Sequence, residues 1–138
     1  MRAEGKGFVV AQDRSIHLYD AEGVLEATLV ARVPGDGVGL RVNECALDPA
    51  GRILFGTMAA DKAEGAGALW RVEPSGELRL LRDRLTISNG MGWTPDGSAM
   101  FHVDSPTQHV VRMGYGDEGC GTRKSWHGSK PKREFPTD

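Results

Sequence analysis

Two stretches of this chain repeat one pattern at a distance of 46 residues, and each contains an asparagine at the same point. The first copy reads RVNECALDPAGRILFGT and includes Asn43; the second reads ISNGMGWTPDGSAMFHVD and includes Asn89. Repeats of about 20–50 residues are typical of stacked or radial arrays, in which each unit buries its apolar face against the next. Polar residues at the same point of successive units then face a shared place. We therefore expect Asn43 and Asn89 to belong to one site.

Short apolar runs separated by turn signals indicate an all-β fold. The turns contain Pro, which presets φ, and Gly, which accepts the left-handed conformation. One series of turns ends at Gly51 and Gly97, and a second ends at Gly23 and Gly76. Two turns per repeat imply about four antiparallel strands per unit, as in a propeller blade. Strands are predicted at residues 7–12, 15–19, 24–31, 42–47, 53–57, 68–72, 78–82, 91–93, 99–103 and 109–113.

The length of the chain limits the number of such blades. At 46 residues per unit, 138 residues hold two to three blades, whereas closed propellers usually have about four to eight. Residues 1–112 are therefore predicted to be a β-propeller fragment. Residues 113–138 are rich in Gly and then basic, and they lose the repeat pattern. They are predicted to be a poorly ordered tail, an atypical terminal segment, or a sequence altered by a frameshift.

Composition excludes several functional classes. With 39% apolar and 26% charged residues, the chain can form a packed core. A net charge of −2 argues against nucleic acid as a partner, because binding phosphates requires a basic surface. No apolar run approaches the roughly 20 residues of a membrane span, so no membrane association is expected. The start, MRAEGKG, has no apolar signal-peptide segment, and a cytoplasmic location is expected.

Several single residues have structural explanations. Cys45 lies in an apolar stretch and is expected to be a small core residue. His102 and His109 alternate with apolar residues, so they are placed on polar strand faces. Asp104 with Ser105 ends a predicted strand and is expected to cap a blade turn. None of these residues has the spacing of a metal site.

An ordered set of motifs at consistent spacing links the chain to a known family. With them, residues 5–112 resemble the family of senescence-marker protein (regucalcin), gluconolactonase and luciferin-regenerating enzyme. The resemblance implies a six-bladed β-propeller about twice as long, so this chain is predicted to be an incomplete one. The motifs are Arg41-Val42-Asn43-Glu44, Asp48-Pro49-Ala50-Gly51-Arg52, Phe55-Gly56-Thr57-Met58, Gly67-Ala68-Leu69-Trp70, Ser88-Asn89-Gly90, Pro95-Asp96-Gly97 and Asp104-Ser105.

The same resemblance implies chemistry in a central channel. Family members hold one divalent metal ion there, and many hydrolyse sugar lactones. Asn89 matches the metal-binding Asn of the Ser-Asn-Gly motif, and Asp138 is a candidate for a later acidic ligand. Arg41 and Asn43 match the substrate-contacting Arg-x-Asn-Asp motif, and Asp61 stands where the family places an acidic substrate-loop residue. The resemblance assigns no catalytic residue to this chain.

The chain departs from the family pattern, and some site residues have simpler explanations. Glu44 replaces the Asp of Arg-x-Asn-Asp, and the N-terminal Glu ligand of the family would precede Met1. From the residues alone, Asn89 is also explained as a turn residue that tolerates positive φ before Gly90. Asp61, among Ala, Lys and Glu, is equally a solvated carboxylate.

The leading hypothesis is a metal-dependent sugar-lactone hydrolase of the gluconolactonase type, present as a fragment that lacks at least one metal ligand. The metal is expected to be Ca²⁺ or Zn²⁺, with Mg²⁺ or Mn²⁺ as further candidates, because hard cations prefer oxygen ligands. The partner is then a small-molecule sugar lactone. Two alternatives stay open: a non-catalytic metal-binding or structural remnant, and a half-propeller that closes as a homodimer.

Overall fold

The protein is an all-β chain in a computed structural model that describes residues 7–127. A single 3₁₀ turn, Ser105–Thr107, follows the ninth strand, and no helix in the described part is long and apolar enough to cross a membrane. The strands are β1 Gly7–Gln12, β2 Ser15–Asp20, β3 Leu25–Val30, β4 Arg41–Leu47, β5 Ile53–Met58, β6 Gly67–Val72, β7 Leu78–Leu85, β8 Ser88–Trp93, β9 Ala99–Asp104, β10 His109–Gly116 and β11 Gly119–His127.

The strands form three antiparallel sheets in chain order: β1-β2-β3, β4-β5-β6-β7 and β8-β9-β10-β11. β1, β5 and β9 begin at Gly7, Ile53 and Ala99, which are 46 residues apart, so they occupy the same position in successive units. The described strands of the first sheet therefore match the second to fourth strands of the other two. This arrangement confirms the prediction of a partial propeller built from four-stranded antiparallel blades.

Strand pairing continues past the boundary predicted after Arg112. β10 runs to Gly116, and β11 pairs with it from His109↔His127 to Gly116↔Gly119. Residues 113–127 therefore belong to the third sheet rather than to a separate tail. β11 was missed because its sequence shows no apolar alternation, and its place depends on backbone pairing with β10. Residues 128–138, including Asp138, lie outside the described residues.

The core lies between the sheets, so the blades pack face to face. Phe55 and Leu54, neighbours on β5, point to opposite faces of the sheet and enter different clusters. Cys45 packs beside the first cluster, as predicted, and burial raises the pKa of its thiol to about 11. The first cluster contains Ile16, Val30, Val33, Leu40, Val42, Phe55 and Ala59; the second contains Leu54, Leu69, Leu81, Leu85, Met100, Val111 and Met113.

Charged residues join the second and third sheets at the end where β4 ends. Arg71 is fully buried; its Nε donates to Glu73 Oε1 at 2.6 Å, and its terminal nitrogens donate to the carbonyls of Gly116 and Asp117 at 2.8 and 2.6 Å. A carboxylate beside it, that of Asp48, has its own partners in both sheets. These bonds hold the second and third sheets together at the end opposite to Asn43 and Asn89.

The buried Asp48 carboxylate makes the fold sensitive to acid. Burial disfavours its charged form, but hydrogen bonds from Tyr115 and Arg52 outweigh this effect and lower its pKa. Because the folded-state pKa lies below the unfolded value of about 3.9, the stabilisation is present above that pH and is lost as pH falls through the folded pKa. We expect the urea midpoint to fall from about pH 5 downward, and Asp48→Asn to flatten this decline.

The control for this prediction is Asp36→Asn, since Asp36 is exposed and makes no side-chain hydrogen bond or ion pair in the described part. Urea unfolding of the three chains at a series of acidic pH values measures the effect. An Asp48→Asn chain that loses stability with acid in parallel with the wild type would remove Asp48 as the cause.

Candidate functional site

The two repeated asparagines occupy equivalent irregularities in the first strands of neighbouring four-stranded sheets. The pairing of β4 with β5 shifts register between Val42 and Glu44, at Asn43. The pairing of β8 with β9 shifts between Ser88 and Met91, at Asn89. Such bulges bend a strand and re-aim a side chain, and they are over-represented next to active sites. The repeat therefore preserves a distortion of the backbone as well as a residue type.

A direct hydrogen bond links the two asparagine positions. Asn43 Nδ2 donates to the Ser88 carbonyl at 2.9 Å, one residue before Asn89. The structure thus brings Asn43 beside the Asn89 bulge, as the repeat predicted. Because Nδ2 is used in this bond, the side chain has its Oδ1 left to accept a hydrogen bond from a ligand.

The side-chain amide nitrogen of Asn89 is hydrogen-bonded to the protein. The side chain is exposed, and Nδ2 donates to Ser105 Oγ at 3.3 Å. Asn89 Oδ1 has no hydrogen-bond partner among the described residues. Gly90, with φ of 81°, takes the left-handed conformation, and Asn89 does not. The explanation of Asn89 as a turn residue with positive φ is therefore wrong.

Arg41 lies at the start of β4, opposite Met58 at the end of β5. Its guanidinium donates to the Val42 carbonyl at 3.3 Å and contacts Met58 Sδ at 3.4 Å, without a carboxylate partner in the described part. Met58 also bridges to Ile87, directly before β8. Arg41 and the asparagines thus lie toward the same end of the sheets, and Arg41 has donors available for a ligand.

Asp61 lies in the loop after β5, and the structure does not connect it to the other three. Its carboxylate accepts a hydrogen bond from the Ala63 N–H at 3.0 Å, a local turn contact, and the side chain is exposed. It makes no hydrogen bond to Arg41, Asn43 or Asn89. Its role in substrate contact stays a prediction.

A cleft of 520 Å³ opens between this loop and the end of β9. Ser105, the hydrogen-bond partner of Asn89, lies in the chain between the lining residues Asp104 and Pro106. Asp104 accepts hydrogen bonds from the Thr86 and Ile87 N–H groups at 3.1 and 2.8 Å, which holds the turn before β8 as the sequence predicted. The cleft is lined by Lys62, Glu64, Arg84, Thr86, Ile87, Asp104, Pro106 and Thr107.

A polar cluster around the buried Ser88 and His102, next to Asn89 in the chain, was missed by sequence reasoning. Glu44 Oε1 accepts a hydrogen bond from Ser88 Oγ at 3.2 Å, and Glu44 Oε2 accepts one from the Gly90 N–H. His102 Nε2 lies 2.8 Å from Ser88 Oγ. The placement of His102 on a polar strand face was wrong, since it is fully buried. The sequence did contain one indication of the cluster, since Glu44 and Gly90 directly follow the two repeated asparagines.

Gly56 makes room for this cluster. A Cβ at Gly56 would lie 2.0 Å from Ser88 Oγ and 2.5 Å from Ser88 Cβ. Gly56 pairs with Glu44 across β4 and β5, so the bare backbone lets Ser88 approach the carboxylate. The Phe-Gly-Thr-Met motif thus has a steric role at this point.

The implied divalent metal fits the described residues at one position. Asn89 Oδ1 is an uncommitted amide oxygen, which is the type of ligand that hard cations accept. In residues 7–127, however, no group of three or more His, Cys, Asp or Glu side chains is arranged to hold a metal. A complete ligand set would need groups beyond those described, and Asp138 is among the undescribed residues.

Sequence comparison identifies the family. Residues 1–136 match the family described as the SMP-30/Gluconolactonase/LRE-like region. The chain belongs to this family. The resemblance drawn from the motifs around Asn43 and Asn89 is thereby confirmed. The family includes proteins named as gluconolactonases, which supports lactone hydrolysis as a function at the level of the family.

Individual members give the extent of the match. The 6-deoxy-6-sulfogluconolactonase of Pseudomonas putida is 32% identical over 125 residues, covering 90% of this chain and 42% of that protein. Regucalcin of Homo sapiens is 33% identical over 94 residues, covering 64% of this chain and 31% of that protein. A crystal structure of the calcium-binding protein regucalcin from Agrobacterium tumefaciens matches with a TM-score of 0.74 at 28% identity, covering 94% of this chain and 45% of that one. The chain spans less than half the length of each of these proteins.

Proposed function

We propose that this chain supplies the metal-contacting and substrate-contacting strands of a metal-dependent sugar-lactone hydrolase. The observation that supports this most strongly is the pair of matching bulges on β4 and β8, joined by the hydrogen bond from Asn43 Nδ2 to the Ser88 carbonyl at 2.9 Å. This pair occurs in a chain whose family includes gluconolactonases. Since the described residues hold no complete ligand set, the remaining ligands would come from the undescribed residues, such as Asp138, or from a second copy of the chain.

Each proposed residue has a role that follows from its free atoms. A bound divalent metal supplies a Lewis acid for the lactone carbonyl and lowers the pKa of a bound water. Asn89 would hold that metal through Oδ1. Asn43 would accept a hydrogen bond from a sugar hydroxyl through Oδ1, since its Nδ2 already serves the Ser88 carbonyl. Arg41 would donate to sugar hydroxyl or carbonyl oxygens.

The names of the relatives support a substrate class and a metal for this proposal. One relative is named for a sulfonated gluconolactone, which supports an aldonolactone as the substrate. Another is described as a calcium-binding protein, which supports Ca²⁺ before Zn²⁺, Mg²⁺ or Mn²⁺. An amide oxygen such as Asn89 Oδ1 suits Ca²⁺, a hard cation with oxygen ligands.

Acid release from D-glucono-1,5-lactone tests this proposal. We expect the chain with added Ca²⁺ or Zn²⁺ to exceed the spontaneous rate, and a chelator to remove the excess. A rate that is unaffected by the chelator would contradict the metal dependence. Stoichiometric Ca²⁺ binding without turnover would instead identify a non-catalytic metal-binding remnant.

One observation favours a half-propeller that closes by dimerisation as the second candidate. Among the described residues β1 pairs with β2 alone, and its other edge is unpaired. Phe8 and Val10 on this strand are 55% and 39% exposed, and open strand edges recruit further strands. Light scattering tests this candidate: a dimer supports it, and an active monomer contradicts it.

A further inference from the structure

We propose that Glu44 is a positioning residue that fixes the Asn89 bulge through a directed chain of hydrogen bonds centred on the buried Ser88 and His102 side chains. The chain runs from Arg82 through His102 and Ser88 to Glu44, and it ends on the strand segment that holds Asn89. The inference rests on the proposed function for the role of Asn89 as a metal ligand. The hydrogen bonds from Glu44 to the residues on either side of Asn89, which we call the clamp, are a property of the described fold.

The chemistry of the groups fixes the direction of this chain. Arg82 can only donate, and its terminal nitrogen lies 2.8 Å from His102 Nδ1, so Nδ1 is the acceptor. In a neutral imidazole the proton then lies on Nε2, which donates to Ser88 Oγ at 2.8 Å. The Ser88 hydroxyl in turn donates to Glu44 Oε1 at 3.2 Å. Every proton therefore points toward the carboxylate.

Glu44 holds both residues that flank Asn89. Oε1 receives the Ser88 hydroxyl, and Oε2 receives the Gly90 N–H. Asn43 contributes a third hydrogen bond to this segment, from Nδ2 to the Ser88 carbonyl at 2.9 Å. Since Gly90 has a left-handed φ of 81° and few backbone constraints of its own, the segment needs such contacts to keep one conformation. Asn89, exposed between two clamped residues, is thereby presented in a fixed direction.

The surroundings of the chain make a defect in it costly. Ser88 and His102 are fully buried, and the Glu44 side chain is 15% exposed. A buried network of this type rigidifies its site when every group is satisfied, and a half-satisfied network is unfavourable. In an isosteric Glu44→Gln chain, one oxygen is replaced by a donor. The Gly90 N–H and the Ser88 hydroxyl then compete for the one acceptor that the amide keeps.

Amide hydrogen exchange of Gly90 by NMR tests the clamp without any assay of activity. We expect the Gly90 N–H to exchange at least about 10-fold faster in Glu44→Gln than in the wild-type chain, because its charged acceptor is lost. The matched control is His17→Gln, which breaks a similar Ser–His contact on the first sheet, from Ser15 Oγ to His17 Nε2 at 2.8 Å. The control should leave Gly90 exchange unchanged. Unchanged exchange in Glu44→Gln would overturn the proposal.

A calcium titration separates positioning from a merely structural role. Loss of a residue that orients a metal ligand weakens metal affinity by about 10–100-fold, so the Kd for Ca²⁺ should rise by this factor in Glu44→Gln. A lower Tm with unchanged Kd would overturn the positioning role. If the wild-type chain binds no Ca²⁺, the metal dependence in the proposed function is wrong. The Gly90 exchange rates still decide whether Glu44 fixes the bulge.

Discussion

Arg71→Ala is expected to destabilise the fold by about 3–5 kcal/mol, the cost of breaking a buried ion pair. Arg71 is fully buried and is the common partner of Glu73 and of the Gly116 and Asp117 carbonyls. The substitution leaves the Gly116 and Asp117 carbonyls without their Arg71 donor and leaves Glu73 with the longer 3.4 Å ion pair to Arg79, and it opens a cavity between the second and third sheets. The loss should therefore exceed that of any exposed ion pair, which is typically below about 1 kcal/mol.

Urea unfolding followed by circular dichroism measures this loss, with Arg112→Ala as the control. Arg112 is an exposed arginine on β10 with no side-chain partner in the described part, so its removal should have a small effect. Equal losses in the two variants would show that the buried arginine does not hold the sheets together.

Asn89→Ala is expected to reduce kcat/KM for D-glucono-1,5-lactone by about 100-fold or more, since loss of support for a metal already costs up to this factor. The side chain is exposed and makes one hydrogen bond, to Ser105 Oγ at 3.3 Å, so stability should change by less than about 1 kcal/mol. Activity and stability therefore separate in this variant, whereas Arg71→Ala affects both.

The control for Asn89 is Gln12→Ala, which removes another exposed amide at the end of β1, on a different sheet. Its hydrolysis rate should equal that of the wild type. Full activity in Asn89→Ala would remove this residue from the site, and equal losses in both variants would indicate a general disturbance of the chain.

One end of the sheets stabilises the fold, and the opposite end holds the residues of the proposed site. At one end Arg71, Asp48 and their partners are saturated with hydrogen bonds. At the other end Asn43 and Asn89 each keep an oxygen without a partner among the described residues. Uncommitted polar atoms on clamped strands are what a binding site requires, because rigid supports hold ligand groups in place.

The strands could be predicted from the sequence because most of them are bounded by turns with a clear mechanism. Gly51 and Gly97 have φ of 84° and 73°, as left-handed turn positions require. β11 could not be predicted in this way. Its position comes from hairpin pairing with the preceding strand β10, from Gly116↔Gly119 onward, and apolar alternation does not report such pairing.

For the site, the repeat predicted that Asn43 and Asn89 lie together, but not how they are held. The bulges depend on register between strands, which a periodic pattern does not contain. The roles of Glu44 and His102 depend on contacts over 44 and 58 residues. Glu44 was visible in the sequence only as a departure from the family motif, although its position directly after Asn43 placed it beside the site.

A double-mutant cycle on Asn43 and Asn89 tests most directly whether the two repeats form one lactone-hydrolysing site. The measurement is kcat/KM for D-glucono-1,5-lactone with Ca²⁺ in the wild type, Asn43→Ala, Asn89→Ala and the double variant. Residues that act as a unit are strongly non-additive, so the double variant should lose little more than Asn89→Ala alone. A double loss equal to the product of the two single losses, or a wild-type chain that opens no lactone, would contradict a shared site.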